Sequence, residues 1–161
     1  MIKVYQRISS RSLPPYKFLP GLAPHPEKKG GHLHGHKESC EALSLTNYRS
    51  HQLFHYGIDL LNLGYFWESH VYLEIIWNAV GRYGTIADLL KGIIKIDAAG
   101  VKLLLGAEEA GLGHWKRAQE LLAPLPSPFL GLDLQKYLAQ TDPLSVMQNG
   151  QFNSFLSFAS P

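Results

Sequence analysis

The chain has 161 residues, of which 45% are hydrophobic and 17% charged, with a formal net charge of +2 when the histidines are neutral. That length supports one domain with its own core, and that balance excludes a chain disordered throughout. Near-neutrality supplies no field for nucleic acid or an anionic membrane, and no run approaches the roughly 18 apolar residues of a membrane span.

Residues 1–45 hold Pro14, Pro15, Pro20, Pro24 and Pro26 with several glycines and keep no periodicity for long, which predicts an extended arm. The opening MIKVYQRISSRSLPP lacks acids and carries Arg7 and Arg11, but it has no apolar core of signal-peptide length. Cys40 is the single cysteine, so an intramolecular disulfide is excluded and a reducing, cytoplasmic setting is expected. The arm also contains GHLHGH, with His32, His34 and His36 in alternation and His25 upstream. In an extended segment alternate side chains leave one side about 7 Å apart. One ion therefore needs a turn, which the glycines can supply. These four histidines are candidate metal ligands, set against a plain His-rich loop.

From Thr46 the pattern turns helical and defines a bundle domain over 46–142. Leu53, Phe54, Gly57, Ile58 and Leu61 share a face, and Gly64 stops the first helix. A second is predicted over about 65–79 and a third from Thr85, capped by Thr85 and Asp88, to about Leu105. A fourth spans about 108–123 and is closed by Pro124, and a shorter one lies between Gly131 and Gln140. The tail 143–161 places Phe152, Phe155 and Leu156 at helical spacing. It is expected to dock on the bundle, the alternative being a partner or dimer contact. Strand signals are almost absent, so the fold class is all-α: a compact bundle of about five helices with an extended N-terminal arm.

The second helix contains YFWESHVYLEIIW. At 100° per residue His70 and Glu74 lie about 40° apart, on a face with Phe66, Trp67, Leu73 and Trp77. Glu68 falls on the other side, with Val71, Tyr72, Ile75 and Ala79. A helix apolar all round is expected to be packed on all sides. On the third helix Asp97 interrupts the stripe Ile86, Leu90, Ile93, Gly100, Val101 and Leu104, while Lys91, Lys95 and Lys102 take the opposite, wet face. On the fourth His114 shares its face with Ala118 and Leu121. The expectation is that His70, Glu74, Asp97 and His114 converge in the core.

Three accounts fit such a cluster: a structural hydrogen-bond network, a ligand or metal pocket, and an acid/base catalytic pair. A pocket would be lined by Trp67, His70, Glu74, Trp77, Asp97 and His114. His70 and Glu74, four apart on one face, make a half-site for a divalent metal ion. Val71 stands where the HExxH motif needs glutamate, and nucleophile elbow, phosphate loop and dinucleotide fingerprint are absent. A catalytic cluster should open to solvent in a cleft, whereas a structural one should be sealed and paired.

The runs LFHYGIDLLNLGYFWESHVYLEIIW, LLKGIIKIDAAGVKLLLG and GHWKRAQELL resemble the domain of unknown function 309 family, small helical bundles with no established activity. The segment LPPYKFLPGLAPHPEKKGGH is similar to the leader of one branch of it. Trp67, Glu68, His70, Glu74 and Trp77 match that family's second-helix motif, with Val71 in place of a glutamate. Lys91 and Lys95 stand where glutamines are common, and Asp97 where alanine is. The resemblance implies a fold. The functional expectation is a soluble small-ligand-binding or scaffolding module. The alternative is a metal-dependent or acid/base hydrolase using His70 with Glu74 and Asp97, and a homodimer is a further possibility.

Overall fold

A computed structural model describes residues 4–21, 25–26 and 38–159. It is all-α: six α-helices, with no strand beyond isolated bridges among the described residues. Helix α1 spans Gln52–Asn62, α2 Phe66–Ala79, α3 Thr85–Leu104, α4 Glu108–Leu122, α5 Leu134–Gln140 and α6 Val146–Asn149, the last preceded by a 3-10 turn at Pro143–Ser145. None is long and apolar enough to cross a membrane.

The first four helices pack in series, α1 on α2, α2 on α3 and α3 on α4. The stripe Leu53, Phe54, Ile58 and Leu61 meets Leu73 and Ile76 of α2, and Leu89, Leu90, Ile93, Ile96 and Leu103 continue the core to Trp115, Ala118 and Leu122. Close approach depends on glycines: a Cβ at Gly57 would sit 2.7 Å from Leu73 and one at Gly100 2.6 Å from Phe66, and Gly92 against Leu122 and Gly111 against Leu103 play the same part where α3 meets α4. Burying these side chains, at about 1.5–3 kcal/mol each, is the main favourable term.

Helix starts differ from the sequence expectation. α1 begins at Gln52, not near Thr46, because the His51 ring accepts the Phe54 N–H at 3.2 Å while its other nitrogen donates to the Glu41 carbonyl at 2.9 Å. Histidine is not an ordinary cap, so the signal was hidden. At α3 the cap is Gly84; Thr85 is already helical and makes no capping bond.

The fold surrounds its helices with its own ends. The arm crosses α1 and α2, and the tail returns so that Phe152 and Leu156 are buried against the core. Phe152 lies 5.2 Å from Phe66 and 5.4 Å from Trp115, ring to ring.

Candidate binding face and buried carboxylates

The convergence expected from the sequence does not form. α2 is packed on one side, through Phe66, Glu68, Ser69, Tyr72, Leu73 and Ile76. His70 and Glu74 lie on the opposite side, 38% and 48% exposed, and pair with each other at 2.8 Å. Helical periodicity could not choose between the faces because both are apolar; the half-exposed Trp67 and Trp77 imitate core residues.

The four residues Trp67, His70, Glu74 and Trp77 remain together as an open stripe. Trp67 is held edge-on by Phe18 at 5.0 Å and His25 at 5.2 Å. At the far end Arg82 lies 5.2 Å over Trp77 and donates to Asn78 Oδ1 at 2.6 Å. Arg82 takes the left-handed region, at φ 64, to do so. Two anchored indoles thus flank a solvent-facing imidazole and carboxylate.

Asp97 is elsewhere, at 0% exposure, and neither carboxylate oxygen has a hydrogen-bond partner among the described residues. No imidazole of the described residues reaches it. The Ser69 hydroxyl beside it gives its proton to the Gly57 carbonyl at 3.0 Å. Burial first, and then the charge of Glu68, pushes the Asp97 carboxyl well above the usual range, against the influence of Ser69. A neutral acid meets this dry setting at far lower cost than a carboxylate. His114 is also separate: half-buried, its pKa is lowered by burial and then by Lys95 and Lys102, so it belongs to the lysine-bearing edge of α3 and α4.

The buried acids that do find partners hold main chain. Asp59, at 0% exposure, accepts Tyr5 O–H at 2.8 Å and the Ile8 and Ser9 N–H groups at 2.9 Å each, with Arg7 3.5 Å away as counter-charge. Glu68, also at 0%, accepts the Phe18 N–H with both oxygens, at 3.1 and 3.2 Å. Burial raises it to about 7, while the Phe18 amide and Lys17 pull it down. Asn62 receives the Leu156 N–H at 2.8 Å and donates to the Leu156 carbonyl at 2.9 Å. Sequence reasoning missed all three roles. It set Glu68 aside and did not select Asp59 or Asn62, although an Asp and an Asn within one apolar helix were a visible signal.

Among the described residues no group of three or more His, Cys, Asp or Glu side chains is placed to hold a metal ion. His70 and Glu74 remain a pair, His25 is engaged with aromatic rings, and His32, His34 and His36 lie outside the described residues. An open groove of about 970 Å³ runs between α5 and the tail, past Lys136, Gln140, Asn149, Gln151 and Phe155. Of the residues selected from the sequence, Phe152 and Phe155 of the tail line it, and the pocket candidates Trp67, His70, Glu74, Trp77, Asp97 and His114 do not.

Compared with known proteins, residues 54–120 match the family described as Domain of unknown function (DUF309). No curated protein and no solved structure matches the chain.

Proposed function

With residues 54–120 matching the DUF309 family, we propose that this chain is a small-ligand-binding module whose recognition face is the outward stripe of α2. The carrying observation is that Trp67 and Trp77 flank the exposed His70–Glu74 pair at 2.8 Å. Indole faces supply flat apolar area at low entropic cost, and a paired imidazole and carboxylate offer a donor and an acceptor to a polar group between them. The stripe is already organised, because Phe18, His25 and Arg82 fix both rings, and preorganisation favours binding. Support for binding over hydrolysis comes from the acids: Asp59 and Glu68 are committed to the arm and Asp97 is sealed, which leaves one carboxylate beside His70. The single free Cys40 fits a cytoplasmic setting.

The test is a small-molecule fragment titration followed through the three indole N–H signals in NMR, assigned by Trp→Phe variants. Binders should move Trp67 and Trp77, leave the buried Trp115 in place, and lose affinity in His70→Ala. Fragments that bind only elsewhere would overturn the reading. So would hydrolysis of p-nitrophenyl esters or phosphates that vanishes in His70→Ala.

A further inference from the structure

The arm lies on α1 and α2 in the manner of a bound peptide. Its recognition is chiefly main-chain: Asp59 takes two consecutive amides, Glu68 takes the amide ten residues beyond Ile8, and the Tyr56 hydroxyl donates to the Ser12 carbonyl at 2.7 Å. Between these anchors side chains are read as well: Leu13 packs against the core, Lys17 lies 4.9 Å from the Tyr65 ring, and Arg11 is held on three sides. The Arg11 guanidinium lies 4.8 Å from the Tyr56 ring and 4.9 Å from the Tyr72 ring, and it makes a two-pronged contact with Glu38 at 3.0 and 2.8 Å. Among the described residues no main-chain group of 4–21 bonds to another main-chain group. The arm has no ladder or helix of its own, so its path is dictated by the side chains beneath it.

The division of parts matters. Asp59, Glu68, Tyr56 and Tyr72 all fall inside the family span 54–120, whereas residues 4–21 fall wholly outside it. Apart from Glu38, which lies outside that span, the receiving surface is built into the domain, and its occupant is carried on an extension of this chain.

We infer that the α1–α2 face is a binding site for an extended, arginine-bearing peptide, filled in cis by the arm and open to the same segment from a second copy of this chain. In the intact chain the covalent link keeps the local arm at an effective concentration of order millimolar, so it outcompetes a free peptide. Cutting the link removes that advantage without removing any residue. Selectivity comes from Arg11, because a lysine or alanine cannot reproduce a planar fork stacked between two rings and paired with a carboxylate.

The experiment places a specific protease site between residues 27 and 37 of the full chain, cuts the folded protein, and adds a fluorescent synthetic peptide of residues 1–21. The nicked protein should keep its helical circular dichroism, retain the arm on gel filtration, and exchange it for labelled peptide at about a hundredfold excess. The peptide carrying Arg11→Ala should bind about tenfold or more weakly. Three outcomes would overturn the inference: loss of helicity on nicking or arm exchange, which makes the arm part of the fold; no entry of labelled peptide with helicity intact; or equal binding of the Arg11→Ala peptide. The indole readout of the α2 stripe does not enter this test, so either reading can fail alone.

Discussion

Asp97 and Glu68 are acids in surroundings that disfavour their charge, and their linkage to pH follows. Glu68 has a native pKa raised from 4.5 to about 7, and Asp97 is raised well above 3.8. Below the lower values both states hold the protons. As pH rises, the unfolded chain releases them first, the native state binds the excess, and stability falls until the native groups ionise. Unfolding by denaturant should therefore show stability declining from about pH 5 to pH 8, with Glu68 contributing up to about 3 kcal/mol of that decline. Glu68→Gln, which keeps an acceptor for Phe18 N–H, should flatten the slope, and Asp97→Asn should flatten it further. A slope unchanged in both variants would mean that the two acids are ionised in the native protein at no cost. The sequence located Asp97 on an apolar stripe correctly, yet matched it with an imidazole. The partners of Asp59 and Glu68 are backbone amides about fifty residues away, and a main-chain donor leaves no residue-type signature to read.

Helix positions were legible wherever a glycine, a proline or a 3.6-residue stripe marked them, as in α3 and at the end of α4. The outward face of α2 was not. Trp67 and Trp77 carry enough hydrophobicity to imitate a core, and only packing against α1 and α3 reveals that Ser69, Leu73 and Ile76 are the inward line. α1 supplies the element's clearest energetic test. Asn62→Ala would leave both the N–H and the C=O of Leu156 buried without partners, and at about 1–3 kcal/mol each the loss should be roughly 2–5 kcal/mol in urea unfolding. A loss under about 1 kcal/mol would show that the tail finds other partners.

On the scale of the whole molecule the helices are enclosed by segments that lie outside the family span. The tail contributes Phe152 and Leu156 to the core, and truncation after Asn149 should destabilise the protein by about 3–6 kcal/mol from those two side chains alone, read as a lowered denaturant midpoint. An unchanged midpoint would mean that the tail is not docked. The sequence made the arm and the tail visible as segments without helical rhythm, but it could not show where they land, because their contacts join residues as distant in sequence as Tyr5 and Phe155.

The buried acids of α1 and α2 act as clamps on the chain's own backbone, and amide hydrogen exchange reads those clamps one by one. Ile8, Ser9 and Phe18 should be strongly protected although they lie in no helix, with Phe18 losing protection in Glu68→Ala and Ile8 and Ser9 losing it in Asp59→Ala. Exchange of these three amides at the rate of an unstructured peptide in the unmodified chain would contradict the account.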